Sequence, residues 1–444
     1  MINRFLFQKI DNSPLIVFRV FFGILIALEG FGAIATGWVR RNLVEPEFTF
    51  SFIGFEWLQP LPGYGMYFYF TVLGILGICI ALGYKYRFSI VSFTLMWWAV
   101  YLMQKTSYNN HYYLLAIISS IMCFLPAHRW FSLDARNRPE ISINSMYSYV
   151  KWVMVFQMLI VYTYAAIAKL YGDWLDFTFV KLLLDGKSHY PLIGEFLKIE
   201  WFQIFIGISG FLFDLLVVPA LLWKPTRNIA LGCSLFFHLF NSIVFQIGIF
   251  PYMALAFIVF FYEPETIRKI FLKKKEVFVP IPLKLPGFKN TILIIGAFYF
   301  AVQLMLPLRH HFIKDDVLWT EEGHRLSWRM MLRNRAGSVV FRVVNKENAS
   351  SKHIRLGDFL TIKQRRRVAA YPDFIWQFAQ HLKKVHAEMG DDIEVYANAV
   401  VSINGRPAAQ FIDPETDLAS VRWDHLRHHE WILPSPLESD DKIE

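Results

Sequence analysis

The sequence is poor in cysteine and in charged residues. Its three cysteines, Cys79, Cys123 and Cys233, all lie inside apolar runs, with neither a C-x-x-C pair nor a histidine at metal-ligand spacing. We therefore expect no disulfide and no metal site. Charged residues make up only 18% of the chain, against about 25% in an average soluble domain. The sequence also shows no repeat of fixed period, no low-complexity segment and no cleavable signal peptide.

Apolar residues are abundant and are concentrated in the first 306 residues. Hydrophobic residues make up 55% of the chain and aromatic residues 17%. This composition excludes a disordered chain, a coiled coil and a small disulfide-bonded scaffold, and its uneven distribution excludes an ordinary soluble enzyme. The net charge is +9, but many Lys and Arg residues stand in short loops between apolar runs. That placement is typical of membrane-flanking charge, so we expect membrane lipid and no nucleic acid as a partner.

Nine segments are candidate membrane-spanning helices, although the fourth is marginal and the eighth is short. They are 15–35, 66–83, 88–104, 111–126, 146–170, 202–223, 228–249, 251–262 and 290–307. The sequence therefore predicts an α-helical integral membrane bundle of about nine spans over residues 1–307. Residues 308–444 have an ordinary soluble composition and are predicted to form a second domain.

The loop charges predict the orientation in the membrane. With nine spans and a cytoplasmic N-terminus, sixteen Lys and Arg residues fall on the cytoplasmic side: Arg4, Lys9, Lys85, Arg87, Arg129, Arg136, Arg138, Lys224, Arg227, Arg268, Lys269, Lys273, Lys274, Lys275, Lys284 and Lys289. Six fall on the other side: Arg40, Arg41, Lys105, Lys181, Lys187 and Lys198. This bias puts the C-terminal domain and Lys105 on the outer face.

The pattern over residues 308–444 predicts an extracytoplasmic α+β or β-rich domain. Residues 338–344 alternate as a strand does, whereas 371–388 carry apolar residues at helical spacing. Residues 393–403 and 408–412 are predicted to be strands joined through Asn404-Gly405, a dipeptide typical of hairpin turns.

Polar residues interrupt several apolar segments, where they are costly and usually face a bundle interior or a cavity. Arg19 and Glu29 share the first span but lie too far apart along the helix to pair. The others are Lys169, Asp214 and a group on one face of the seventh span, His238, Asn241, Ser242 and Gln246. These residues either line a cavity or make the interhelical hydrogen bonds common in membranes.

The loop after the third span carries a lysine beside an amide and imidazole cluster, Lys105 followed by Asn109, Asn110 and His111. A lysine at the end of a span ordinarily extends to the lipid headgroups. In an apolar pocket its pKa would fall instead, which would make it a general base near neutral pH. Likewise, the Asn-Asn-His cluster either orients a polar headgroup or caps the next helix. The loop is a candidate headgroup or quinone site.

The run K-T-S-Y-N-N-H-Y-Y-L from Lys105 resembles the K-T-S-W-N-N-H-x-Y-L motif of the vitamin K-dependent gamma-carboxylase family, whose bacterial members are also called HTTM-domain proteins. Other stretches resemble the family in the same chain order. They are F-R-V-F-F-G from Phe18, Ala168-Lys169-Leu170 with Asp173-Trp174, the segment Phe237 to Tyr252, Ser327-Trp328-Arg329-Met330-Met331, and Val401-Ser402-Ile403-Asn404 with Phe411-Ile412-Asp413-Pro414. The resemblance covers nearly the whole chain.

This resemblance implies an integral membrane enzyme that oxidises reduced vitamin K or menaquinol with O₂ to the epoxide and adds CO₂ to a glutamate side chain, without a metal. It implies that Lys105 is the amine base that deprotonates the hydroquinone. It also implies that a Glu-containing protein or peptide is recognised near Ser327, Trp328, Met330 and Met331. We expect Asn109, Asn110, His111, His238, Asn241 and Ser242 to line the quinone cavity. The expected location is a bacterial inner membrane.

One departure from the family pattern concerns Thr49, which stands where the resemblance leads us to expect a histidine tied to the carbanion step. Three hypotheses therefore stay open. The first is coupled epoxidation and glutamate carboxylation, and the second is quinol epoxidation without a peptide acceptor. The third is a membrane transporter or receptor that binds a solute in the bundle, against which the lack of an internal repeat argues.

Overall fold

The computed structural model describes residues 2–191 and 193–436, which form a helical bundle followed by a smaller domain built around a β-sheet. A helix occupies each of the nine predicted segments. These helices are α1 (Ser13–Ala35), α2 (Gly65–Leu82), α3 (Tyr86–Met103), α4 (Asn110–Phe124), α5 (Tyr149–Ile167), α6 (Glu200–Leu222), α7 (Arg227–Val244), α8 (Phe250–Phe257) and α9 (Lys289–Met305).

Five helical segments in the described part of the chain are long and apolar enough to cross a membrane. They are Ser13–Ala35, Gly65–Leu82, Tyr149–Ile167, Glu200–Leu222 and Lys289–Phe312. Asn110–Phe124 and Phe250–Phe260 are apolar but shorter. The protein is therefore a helical membrane protein, and the number of about nine spans stays a prediction.

Shorter elements connect these helices. The connecting helices are Ile2–Phe7, Leu133–Asn137, Gly172–Leu175, Thr178–Asp185, Gly194–Leu197, Pro264–Phe271 and Val317–Thr320, and the strands Lys9–Asp11 and Ser145–Tyr147 pair antiparallel. A 3₁₀ turn, Lys105–Ser107, lies between α3 and α4.

Helices α1 and α2 pack backbone to backbone through small residues. A Cβ added at Gly23 would lie 2.3 Å from the backbone nitrogen of Ala81, and one added at Gly77 would lie 2.6 Å from that of Ala27. Small residues allow this close approach, which is a usual basis for helix association in membranes. The pair is thus a closely fitted unit that a larger side chain at either glycine would separate.

The C-terminal domain has a four-stranded antiparallel sheet in the order β2-β1-β3-β4. The strands are β1 (Arg335–Asn345), β2 (Ser351–Ile354), β3 (Ile393–Ile403) and β4 (Ala409–Gln410), with Phe341 opposite Ala397 in the β1–β3 register. Two helices, α10 (Ile362–Val368) and α11 (Pro372–Glu388), lie between β2 and β3 in the chain. The predicted strands and the predicted helix over 371–388 are confirmed, with the last strand shorter than expected.

The loop between α1 and α2 contributes to the core of the C-terminal domain. Phe50 is fully buried there, with its ring 4.7 Å from that of Phe374. Phe48 stacks on His381 at 4.1 Å, and Gln377 donates a hydrogen bond to the carbonyl of Ser51. This loop and helix α11 therefore hold the domain against one end of the bundle.

Candidate active site

A polar cavity of about 240 Å³ lies where the helical bundle meets the C-terminal domain. Its walls come from the loop after α3, from the segment before β1 and from α10 and α11. They include Lys105, Tyr108, Asn109, Asn110, His111, Glu321, His324, Arg325, Arg329, Met330, Met331, Arg333, Arg367, Tyr371 and Phe374. The cavity thus brings together the K-T-S-Y-N-N-H run and the two methionines of the S-W-R-M-M element.

Lys105 is buried in this cavity rather than extended to the lipid headgroups. Its side chain is 2% exposed, and Nζ lies 2.5 Å from Oδ2 of Asp373 in the first turn of α11. Arg325 donates two hydrogen bonds to the same carboxylate, at 2.7 and 3.1 Å. Burial lowers the pKa of Lys105 to about 8, with the Asp373 charge opposing the effect. The expected general-base character of this lysine is therefore consistent with its surroundings, as is a role in joining the two domains.

The segment that carries the S-W-R-M-M element supplies an excess of positive charge to the cavity. Arg325 and Arg333 have carboxylate partners, Asp373 and Glu321 respectively. Arg329 has none within 4.0 Å among the described residues, and its Nε has no hydrogen-bond partner there. Burial, and next the charge of Arg333, lower the pKa of Arg329 to about 10. A buried guanidinium with a spare donor is suited to binding a carboxylate.

The backbone of the same segment is unusual. Leu326, Trp328 and Met331 all have φ between +51° and +61°, a conformation that bulky residues rarely adopt. Such conformations persist where the surroundings enforce them, and they cluster at ligand-binding and catalytic sites. Here Tyr108 accepts a hydrogen bond from the nitrogen of Leu326, and Asn110 donates one to the carbonyl of Arg329. The K-T-S-Y-N-N-H run therefore positions the S-W-R-M-M element directly.

A second cavity, of about 660 Å³, lies between helices of the bundle, is partly open at their outer surface and has almost entirely apolar walls. Aromatic and aliphatic residues of α6 and α7 form most of them. The ionisable residues among its lining residues are His111, Lys169, Asp214 and Cys233, with Tyr162 also present. Lys169 forms a buried ion pair with Asp214 and hydrogen-bonds the carbonyl of Ala165. An amine therefore faces an apolar chamber in the bundle.

The two cavities share three lining residues, His111, Met330 and Met331. The ring of His111 stacks on that of Phe250 at 4.4 Å. Phe250 also contacts His238, whose Nε2 lies 2.9 Å from the hydroxyl of Tyr162. The imidazole of His111 and the thioethers of Met330 and Met331 thus border both the apolar and the polar cavity.

Other predicted residues of the lysine loop and the seventh span have distinct positions. Asn109 lines the polar cavity and also caps α4, accepting a hydrogen bond from the nitrogen of Tyr112 at 2.7 Å. Asn241 lines the apolar cavity. His238 is buried behind Tyr162 rather than in the lining itself. Ser242 turns away from the cavity because it is one residue, or about 100°, further round α7, and it hydrogen-bonds Tyr252.

Three further residues lie outside both cavity walls. Ser327 accepts a hydrogen bond from Arg309, and Trp328 packs on Tyr113. These two residues therefore anchor the start of the S-W-R-M-M element, whose last three residues line the polar cavity. Thr49 is buried and donates a hydrogen bond to Gln59. Thr49 is held away from the cavities because the neighbouring Phe48 and Phe50 pack in the core of the C-terminal domain.

Sequence reasoning missed the partners that define the polar cavity. Asp373 follows Pro372 at a helix start, which is an ordinary place for an acidic residue and gives no signal of a buried ion pair. A signal for the arginines was present, since Arg325, Arg329 and Arg333 recur every four residues around the recognised motif. Among the described residues, no group of three or more His, Cys, Asp or Glu side chains is arranged to hold a metal ion.

Comparison with known families matches both parts of the chain. Residues 7–265 match the HTTM domain, and residues 288–438 match the vitamin K-dependent gamma-carboxylase lumenal domain. No solved structure matches the chain significantly. The first match covers more than half of the chain, and the second covers α9 and the C-terminal domain. The chain belongs to the HTTM-domain, vitamin K-dependent gamma-carboxylase family.

Proposed function

We propose that this protein oxidises a membrane hydroquinone, reduced vitamin K or menaquinol, with O₂ to the epoxide, and couples this oxidation to adding CO₂ at the γ-carbon of a glutamate side chain. In total, hydroquinone, O₂, CO₂ and the glutamyl side chain give the epoxide, water, a new carboxylate and one proton. The observation that carries the proposal is the pair of adjoining cavities. One suits an apolar quinone, the other suits an anionic side chain, and His111, Met330 and Met331 border both.

The apolar cavity fits a prenylated quinone. Small-molecule sites commonly enclose about 300–1,000 Å³ and have mainly apolar walls with a few polar groups. This cavity has about 660 Å³ and mainly aromatic and aliphatic walls, with Lys169, Asp214 and Asn241 among its few polar lining residues. When bound there, the hydroquinone supplies the reducing electrons and, on oxygenation, the strong base that the carboxylation needs.

Two buried lysines are candidates for the amine that takes the first proton from the hydroquinone. Lys105, which the resemblance implied, has the lowered pKa that a base requires, but it lines the polar cavity. Lys169 lines the apolar cavity itself and, because it is ion-paired, would have to pass a proton to Asp214 before it could take one from the hydroquinone. Because a general base must come within hydrogen-bond reach of the proton it takes, this placement favours Lys169. Lys105 would then keep the neighbouring carboxylates and arginines in place.

The polar cavity is the proposed binding site of the acceptor glutamate. Arg329 offers an uncompensated positive charge for the γ-carboxylate, which would keep the side chain close to His111 and the two methionines. His111 lies between the chambers and is placed to donate or accept a hydrogen bond as charge develops on the γ-carbon. This second chamber favours the coupled reaction over epoxidation alone and over solute transport.

The test uses detergent-purified protein with reduced vitamin K, ¹³CO₂ and a Glu-containing peptide, followed by mass spectrometry of both products. We expect epoxide together with ¹³C-labelled carboxyglutamate. Epoxide without labelled carboxyglutamate would instead support the quinol oxygenase hypothesis. If neither epoxide nor carboxyglutamate forms, the proposal is contradicted.

Two lysine variants assign the base. Lys169→Ala should abolish epoxide formation, with partial recovery on adding a small amine, whereas Lys198→Ala, which removes an exposed lysine paired with Glu195, should leave it unchanged. If Lys105→Ala alone loses epoxide and regains it with added amine, Lys105 is the base and Lys169 is not.

A further inference from the structure

Helix α10 places an uncompensated line of positive charge beside the polar cavity. Its sequence is I-K-Q-R-R-R-V, and Gln364 and Val368 face the protein interior. At 100° per residue, Lys363, Arg366 and Arg367 fall within one arc of about 100° on the helix surface, whereas Arg365 points to the opposite side. Consistent with this, Arg365 approaches Gly357, away from the cavity.

This face runs from the cavity to the outside of the protein. At its inner end Arg367 lines the polar cavity and donates hydrogen bonds to the carbonyl of Thr106 and to Tyr371. One turn earlier, Lys363 donates to Ser107 and to Asn42, at 2.6 and 2.8 Å. Arg366 is exposed beside them. Arg41, from the loop after α1, is exposed and directly precedes Asn42, the residue to which Lys363 donates.

The four side chains Arg41, Lys363, Arg366 and Arg367, called the basic track below, lack negative partners. Among residues 2–191 and 193–436, no carboxylate oxygen lies within 4.0 Å of their charged nitrogens. Burial, and next the charges of Arg367 and Arg41, lower the pKa of Lys363 to about 8. Positive charges that repel one another in this way are relieved by an anionic ligand.

We propose that the basic track binds the acidic stretch of a glutamate-rich peptide and guides it into the polar cavity. The inference rests on the proposed function, since it supplies the route by which a Glu-containing acceptor reaches Arg329. Carboxylates along an extended peptide would contact Arg41 and Arg366 first and Arg367 last. A substrate with several neighbouring glutamates would therefore be bound better than one with a single glutamate.

The experiment measures binding of a fluorescent peptide with several glutamates to the detergent-solubilised full-length chain, with no quinone present. Arg366→Gln and the double variant Arg41→Gln/Arg366→Gln are compared with Arg365→Gln, which removes the same charge from the adjacent residue on the opposite face. We expect the double variant to weaken binding about tenfold at low salt. We expect Arg365→Gln to bind as the unmodified protein does, and the difference to disappear at high salt.

Three outcomes would overturn the inference. The first is an equal loss of peptide affinity in Arg365→Gln and Arg366→Gln, which would reflect net charge alone. The second is unchanged peptide affinity in the double variant, and the third is a double variant that loses binding to phosphatidylglycerol vesicles but keeps its peptide affinity, which would assign the track to lipid. Epoxide formation without peptide, measured in parallel, tests the proposed chemistry separately. If no epoxide forms but peptide binding still depends on the basic track, the proposed reaction is contradicted and the basic track remains supported.

Discussion

The Nζ atom of Lys105 and the Oδ2 atom of Asp373 lie 2.5 Å apart, and their ion pair joins the helical bundle to the C-terminal domain. Both side chains are nearly fully buried. Arg325 binds the other side of the same carboxylate. One carboxylate therefore links a lysine of the bundle to an arginine of the polar cavity and contributes to the attachment of the C-terminal domain.

Lys105→Ala should destabilise the protein by about 2–3 kcal/mol, because it removes one partner of a buried pair while Arg325 still neutralises Asp373. An exposed lysine at the end of a span would cost almost nothing. The measurement is thermal unfolding in detergent, with Lys198→Ala as the exposed control. An unchanged melting temperature in Lys105→Ala would show that the pair contributes no net stability.

Acid should weaken the attachment of the C-terminal domain between about pH 4 and pH 2. Burial alone would raise the pKa of Asp373, but the charges of Arg325 and Lys105 outweigh it and lower the pKa to about 2, from an ordinary 3.8. A carboxyl group with a lowered pKa stabilises the fold above its ordinary pKa and loses that contribution as the pH falls. The contribution is about 2 kcal/mol. Asp373→Asn should lose it at every pH, so its stability should vary less across this window.

The C-terminal domain should lie outside the cytoplasm. The loop after α1 and the turn at Lys105 both contact this domain, whereas Lys275 pairs with Asp11 and Arg19 binds the carbonyl of Ala127 at the opposite end of the bundle. These contacts place the loop after α1 and the C-terminal domain at the same end of the bundle. The chain must therefore cross the membrane an even number of times between them, as it does with nine spans. A C-terminal alkaline phosphatase fusion should be active, and activity of a cytoplasmic reporter at the same position would contradict the topology.

His238→Ala should reduce epoxide formation more than Ser234→Ala does. Both residues are buried in α7, but Ser234 only bonds the carbonyl one turn earlier, whereas His238 holds the hydroxyl of Tyr162 at the wall of the apolar cavity. Tyr162→Phe should reproduce much of the His238→Ala loss, because it removes the same hydrogen bond. Equal activities of the two α7 variants would exclude a role for the His238–Tyr162 contact.

His111→Ala should lower carboxylation more than epoxidation, since His111 borders both chambers and the proposed glutamate site is the polar one. Thr49→His should leave the ratio of the two products unchanged, because residue 49 lies outside both cavity walls. The measurement is the yield of epoxide and of carboxyglutamate from the same reaction. If the ratio of carboxyglutamate to epoxide changes in Thr49→His and stays constant in His111→Ala, both assignments are wrong.

Hydrophobic patterning and motif recognition predicted much of the architecture. The apolar runs located the nine helices, and the alternation over 393–403 matched strand β3 residue for residue, because local periodicity reports directly on burial. The motifs singled out Asn110 and His111 for a quinone cavity and Met330 and Met331 for glutamate recognition, and the structure places all four around the polar cavity.

The contacts between distant segments could not be predicted in this way. Nothing local to Lys105 indicates that its partner is Asp373, and nothing local to Phe50 indicates that it belongs to the core of a domain some 270 residues later in the chain. Lys169 was recognised as polar within an apolar segment, but its pairing with Asp214 depends on the crossing of α5 and α6. Pairings of this kind are set by tertiary packing, on which a single sequence gives little information.

The position of Phe50 in the core of the C-terminal domain also constrains biosynthesis. The first loop is synthesised early and cannot be covered until β1, α11 and β3 have been made, so its aromatic side chains stay exposed through most of translation. Contacts so distant in sequence form slowly. The C-terminal domain would complete its core only after the first loop has reached the side of the membrane on which the domain folds.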